Sequence, residues 1–577
     1  MSSQLNISRH VFRSVSSRFL LSATFLIGLL STVPALAQTD RQNIFDETKK
    51  GGTLRLVASS SGGTLDPQIN YAAKYIDLFA NIYDGLVGFR KERGSAGNEL
   101  VADLAESLPE PEDNGRTWTF RLRPDIKFSD GRPVTVEDVA ASMRRIFIIG
   151  SPTSGAFYSA ILGADLCQHD PSQCTLSEGV VTDPQKNTIT FHLNKPDAEF
   201  LQKLAFTHAS ILPADTPLHD LGNTPAIGTG PYRIVSYNPD SGMRMERNPY
   251  FHVWDQSAQP DGYPDVIEYT FGIENESAVT AVENGQYDLI ADPIPLDRLG
   301  ELGSRFPGQT HIEPHPQAYY AFLNTNIPPF NNQLARQAVN YAMDRRAIAI
   351  FYGGRALATP LCSMIPSSVP GADPSCPWSK GASPEQPAEK WLAPDMEKAR
   401  ELVRLSGTAG QKVTVLTSSA SIEMAMGMWL QDALRQMGYD ASLRTLNPGV
   451  FFSYIQNSSN HVQISIKSWA HDYPSPSNFL DSLLGCENFH PGSDSSINIS
   501  GFCDKEIQKQ IDQAKSDTSL SSEQTIELWK KIDKEFQILS AVVPMIEMNS
   551  VKLVSPHVKN YFYTTLYEVL FSQLQVK

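Results

Sequence analysis

Glu110 and Glu112 stand two positions apart, and so do Glu274 and Glu276. Paired carboxylates can share the work of a general acid and a general base. Neighbouring acids in a charged loop are more often simply hydrated, and that is the reading adopted for both pairs. The compact catalytic signatures are missing: there is no G-x-x-x-x-G-K-[ST] loop, no G-x-G-x-x-G behind a strand, no H-E-x-x-H and no G-x-S-x-G elbow. Their absence is only weak evidence against an enzyme, and no catalytic role is expected. An extracellular hydrolase is the remote alternative, and no cofactor is expected.

Six cysteines fall as close neighbours in order: Cys167 with Cys174, Cys362 with Cys376, Cys486 with Cys503. A metal site is the rival to disulfides, but no two show C-x-x-C spacing and the histidines are scattered. Sequential pairing is the expectation, out of the fifteen connectivities that six cysteines allow. Each bridge would close a loop of under about 20 residues and contribute at most about 3 kcal/mol in the chain-entropy model.

Disulfides require an oxidising compartment, and the N-terminus supplies the address. Arg9, Arg13 and Arg18 precede an apolar stretch from Phe19 to Leu30, and Ala35-Leu36-Ala37 stands before Gln38. The pattern is that of a cleavable export signal cut after about Ala37. Its apolar stretch of about 12 residues is shorter than the roughly 20 a spanning helix needs. No cysteine follows the cleavage motif to carry a lipid. Losing three arginines and no acid takes the formal charge from −15 to −18. That balance disfavours nucleic acid and anionic lipid. The remaining length exceeds the roughly 250 to 300 residues at which single cores stop growing, so at least two lobes are expected.

These lobes must come from α/β elements. Gly51 to Val57 alternates as a strand and runs into the Ser59-to-Gly63 loop. Ile76, Phe79, Ile82, Tyr83 and Leu86 recur at steps of three and four, which predicts a helix from Tyr75 to Leu86. Thr117 to Leu122 reads as a strand, followed by the turn Ser129-Asp130-Gly131-Arg132-Pro133. Thr135 then caps a helix that begins at Val136, with Asp138 at the capping-box position. Residues 180–271 are strand-rich and broken by Gly228-Thr229-Gly230-Pro231-Tyr232. Helical periodicity returns over Leu334 to Ile350 and Asp395 to Ser406, and strand alternation over Lys412 to Leu416. Between Cys362 and Pro394 the chain is crowded with Pro, Ser and Gly, as in a pinned surface loop.

The block from Trp118 through Phe128-Ser129-Asp130-Gly131 to Glu137-Asp138-Val139 resembles the signature of the bacterial extracellular solute-binding proteins of family 5, the peptide-binding components of ABC importers. Leu65-Asp66-Pro67, Gly228 to Tyr232, Arg247-Asn248-Pro249-Tyr250-Phe251, Asn324 to Asp344, Pro394 to Ala399 and Trp469 to Pro474 are similar to further landmarks, in the family's order. Most read as scaffold. The resemblance implies an α/β, two-lobed periplasmic-binding-protein clamshell (type II, cluster C) with mixed sheets and an extra inserted domain. Its expected parts are residues 48–75, 206–297 and 543–577 as lobe I, 76–205 as the inserted domain and 298–542 as lobe II. It also implies a periplasmic monomer that captures di- or oligopeptides and delivers them to a membrane permease.

Two ligand-binding segments follow from the resemblance. In Ser61-Gly62-Gly63 the glycines would let ligand backbone come close, with a tight turn as the alternative. Ser468-Trp469-Ala470-His471-Asp472-Tyr473 matches the segment that pairs with ligand backbone as an added strand. There Asp472 would hold the ligand's α-amine, because a desolvated cation needs a fixed counter-charge; otherwise it is a turn-forming Asp near Pro474. Trp469 and Tyr473 would wall the pocket or belong to the core. No cation for a ligand carboxylate stands out, since Arg336, Arg345 and Arg346 are expected to form surface pairs. An oligosaccharide resting on Trp469 with Asn478 is the second ligand reading.

Overall fold

Strand Thr53–Val57 buries Leu54 and Leu56 completely while Thr53 and Arg55 keep some solvent access. This period-two pattern seeds the first of two large sheets in the computed structural model, which describes residues 45–577 except 495, 518 and 519. The export signal lies outside the described residues. Thr53–Val57 runs parallel to both Leu289–Ile290 and Val266–Thr270, and the antiparallel strands Gly242–Arg247 and Tyr232–Asn238 complete a five-stranded mixed sheet.

The second sheet has six strands in the order Ala358–Pro360, Val542–Leu553, Thr310–Leu323, Ile464–Ala470, Lys412–Ser418, Asp440–Leu446. Helices Gln333–Ala342, Met396–Ser406 and Ser421–Met437 cover one face, and Ser477–Leu484, Lys505–Ser516 and Ser522–Leu539 the other. A three-stranded antiparallel sheet (Thr117–Arg121, Thr188–His192, Val180–Asp183) packs with helix Val136–Ile148 around a third core.

Thr310–Leu323 and Val542–Leu553 connect the large sheets. They pair over most of their length, and just beyond them Val554 donates to Gln309 and bridges Leu289 of the five-stranded sheet. Their register slips between Pro314 and Gln317. Pro314 and Pro316 lack a backbone N–H, so the ladder is thinnest there.

Several local expectations hold. Thr135 and Asp138 make the reciprocal capping box, the helix expected over Asp395 to Ser406 is Met396–Ser406 with Asp395 as its N-cap, and the stretch from Cys362 to Pro394 carries no helix or strand. Disulfides join Cys167–Cys174, Cys362–Cys376 and Cys486–Cys503.

Three local expectations are corrected. The helix expected over Tyr75 to Leu86 is Ala73–Phe79. Gly230 and Tyr232 donate backbone N–H groups to the carbonyls of Ile82 and Asn81, which a continued helix would have used internally. A Cβ on Gly228 would lie 2.1 Å from the Ile82 oxygen, so the glycine permits that approach. The helical stretch from Leu334 breaks at Met343, and Asp344 caps a second helix, Arg345–Phe351. Arg336 and Arg345 are buried rather than paired at the surface. Arg336 donates to the carbonyls of Leu539 and Phe330, and Arg345 to those of Leu361 and Asn340 and to Asn340 Oδ1. Burial lowers their pKa to about 10 and about 9. Planar guanidinium forks satisfy chain carbonyls that would otherwise be orphaned.

Candidate functional site

Ile464–Ala470 pairs antiparallel with Thr310–Leu323 from Ile464 to Ala470. On its other side it meets Lys412–Ser418 in only two pairs, Val415 with Ile464 and Leu416 with Ser465. From Ile466 onward that edge has no strand partner among the described residues. An unpaired edge offers alternating N–H and C=O groups to any extended chain laid beside it.

Asp472 sits at the end of this edge. Its backbone N–H donates to Asn478 Oδ1 at 2.9 Å, while its Oδ2 accepts from Asn478 Nδ2 at 2.8 Å and from the Tyr71 hydroxyl at 2.7 Å. The carboxylate is thereby fixed in place, and it still keeps some solvent access. No cation lies within ion-pairing distance of it among the described residues. Burial raises its pKa from the usual aspartate range to about 6, against the pull of the Asn478 and Tyr71 hydrogen bonds. Beside it, His471 is held neutral: burial lowers its pKa to about 3, and its Nδ1 is without a partner. The corner thus presents an anchored, under-compensated anion.

The other residues of the segment divide by function. Trp469 is buried in the core between sheet and helices, donating Nε1–H to the Asn478 carbonyl at 3.0 Å, and its ring meets Tyr71 edge-on. Tyr473 is buried against Phe157 in the core of the three-stranded sheet, and its hydroxyl meets Ser477. Both are occupied by packing. Ser468 and Ala470 lie on the strand opposite Tyr319 and Gln317, along the open edge.

Ser61, Gly62 and Gly63 have no hydrogen bond to residues 468–473 among the described residues. A Cβ on Gly62 would fall 2.6 Å from the Tyr75 ring, and Gly63 has φ +96°, so packing and a turn account for both glycines. Asn70 connects this loop to the anchor. Its amide donates to the carbonyls of Gly62 and Thr64, and the next residue is Tyr71. Tyr71 is the site residue that sequence reasoning missed, since nothing local ties it to Asp472. Asn478 stood out only as an amide for a sugar. Glu110, Glu112, Glu274 and Glu276 are exposed and form no constellation.

A further contact locks the loop behind the anchor. Glu199 accepts from the hydroxyls of Ser475 and of Ser477, the latter at 2.6 Å. Nearby Lys203 pairs with Asp197 at 2.6 Å and Lys515 with Asp481 at 2.5 Å, all buried or nearly so, and the Ala198 N–H donates to the Lys515 carbonyl.

Residues 99–491 match the model of the bacterial extracellular solute-binding proteins, family 5, middle region. The peptide transport periplasmic protein SapA of Salmonella typhimurium is 25% identical over 90% of this chain and 92% of its own length. The clavulanic acid biosynthesis oligopeptide binding protein 2 superposes with a TM-score of 0.79 at 22% identity, covering 91% of this chain and 96% of its own. The Helicobacter pylori periplasmic binding protein DppA, in complex with peptide STSA, gives 0.76 at 22% identity, covering 92% and 99%. These likenesses show a shared fold, the two-lobed α/β clamshell with mixed sheets. With a family match over most of its length, the chain belongs to the bacterial extracellular solute-binding proteins of family 5.

Proposed function

We propose that this protein captures short peptides in the periplasm and delivers them to the permease of an ABC importer. The observation that carries the reading is Asp472, a carboxylate fixed by Tyr71 and Asn478 without a cation, at the end of an unpaired strand edge. A peptide α-amine supplies the missing charge, and its backbone supplies the missing ladder. Strand addition reads no side chains, which suits a carrier of many sequences. The relatives named above as peptide-transport and peptide-complexed proteins support the same class of ligand.

In this reading residues 48–75, 206–297 and 543–577 form one lobe, 76–205 an inserted domain and 298–542 the second lobe. Thr310–Leu323 and Val542–Leu553 act as the hinge, and closure encloses the ligand. The chain is exported with cleavage after about Ala37 and works as a monomer without catalysis. Among the described residues no helix is long and apolar enough to cross a membrane.

The test is native mass spectrometry of the protein as purified, followed by thermal shift against a peptide mixture. Retained peptide, and stabilisation that Asp472→Asn removes, support the reading. Stabilisation by chito- or cello-oligosaccharides instead, indifferent to Asp472, sinks it, and so does hydrolysis of the added peptides.

A further inference from the structure

Beyond Asp472, another carboxylate near the same edge has an oxygen without a hydrogen-bond partner among the described residues. Lys412–Ser418 and Ile464–Ala470 separate after Ser465, and the helix Ser421–Met437 begins just past the end of the first strand. Glu423, in that helix's first turn, is 5% exposed. Among the described residues its Oε2 is buried without a hydrogen-bond partner, and Oε1 pairs with the Lys467 ammonium at 3.6 Å, beyond hydrogen-bond length. Buried carboxylate oxygens ordinarily accept hydrogen bonds, so an orphan needs an explanation.

Aromatic rings border the two charges. Lys467 Nζ lies 5.9 Å from the centre of the Phe452 ring. The Glu423 charge helps raise the pKa of Tyr319, after burial, and Tyr319 packs edge-on against Tyr352. The place that the Lys467 ammonium takes, between the Glu423 carboxylate and the Phe452 ring, therefore suits an ammonium or guanidinium. The Lys467 side chain remains partly exposed, so water can satisfy its donors when it swings away. The unsatisfied member is Glu423.

We propose that Glu423 accepts a cationic side chain of the captured ligand, a lysine ammonium or an arginine guanidinium, and that Lys467 stands in for it in the free protein. The inference rests on the peptide reading above. Lys467 lies five positions before Asp472, a span of about 16 Å at strand rise. An extended ligand whose amine sits at Asp472 would bring its sixth residue to Glu423, or reach it from the fourth or fifth through the length of a lysine or arginine side chain.

The test measures binding of alanine-based hexapeptides with a free N-terminus, carrying Lys, Arg, Leu or Glu at position 4, 5 or 6, by titration calorimetry. At one position wild type is expected to bind the Lys and Arg peptides at least tenfold tighter than the Leu peptide, with Glu weakest. Glu423→Gln should bring Lys and Leu within twofold while leaving the Leu peptide's affinity unchanged, and Lys467→Met should keep the cationic preference. Equal wild-type affinity for Lys and Leu at all three positions overturns the proposal whether or not the variants fold, as does a preference that survives Glu423→Gln. Loss of binding in Lys467→Met, mimicked in wild type by amidating the peptide C-terminus, also overturns it by making Lys467 a carboxylate holder. Binding that depends on Asp472 but ignores side-chain charge overturns this inference alone; failure of every peptide to bind wild type overturns the peptide reading with it.

Discussion

The Tyr71 hydroxyl donates to Asp472 across 401 positions of sequence, at 2.7 Å. That bond joins the loop after the first strand to the end of the open edge. It makes the candidate anchor a product of tertiary folding rather than of any local motif.

Asp472→Asn should abolish most peptide-induced stabilisation while leaving the free protein folded. A hydrogen bond to a charged group contributes about 1.5–3 kcal/mol, so peptide affinity should fall roughly ten- to hundredfold. Titration calorimetry of both proteins measures it.

Binding should depend on pH with a definite sign. In the free protein Asp472 titrates near 6, and an ammonium beside it favours the ionised form. Peptide affinity should therefore be flat above about pH 6 and fall below it, by up to about tenfold per unit. Binding near pH 5.5 should release protons, seen as a dependence of the calorimetric heat on buffer ionisation enthalpy. Stability of the free protein follows the opposite sign. A carboxyl whose folded pKa is raised from 3.8 makes the fold less stable as pH climbs from 3.8 to about 6, with no further change above. Asp472→Asn should lack that component in denaturation curves.

Tyr71→Phe removes one of the bonds that favours ionised Asp472. The pH below which affinity falls should move upward in this variant, with only a small loss of affinity well above it. The same calorimetric pH series tests this, and an unchanged midpoint would contradict the geometry.

Asp66→Ala should destabilise by about 3–5 kcal/mol, because it leaves a buried guanidinium without its carboxylate. Arg145 donates to Asp66, to Gln68 Oε1 and to the carbonyls of Pro217 and His219, all within the fold. Urea denaturation should show the shift.

What was legible in the sequence was largely local. Thr135 and Asp138 announced their capping box because both partners lie within one turn, and Leu65-Asp66-Pro67 marked a scaffold residue that Arg145 does engage. The order of the cysteines matched the bridges because each pair is close in sequence. Ile82 and Tyr83 kept a helical period yet left the helix, since the carbonyls of Ile82 and Asn81 were claimed by Gly230 and Tyr232 from far along the chain. Arg336 and Arg345 looked like surface cations because burial of a guanidinium against bare carbonyls leaves no opposite charge to notice. Tyr71 could not be found, because its partner lies beyond any periodicity.

Glu199 holds Ser475 and Ser477, and Asn478, the amide that steadies Asp472, comes next in the chain. In the proposed division these contacts run from the inserted domain to the second lobe, so a separation of the two would take the acceptor from both serine hydroxyls and loosen the amide beside Asp472. The residence time of a guest held there would then be tied to two hydroxyl contacts it never touches.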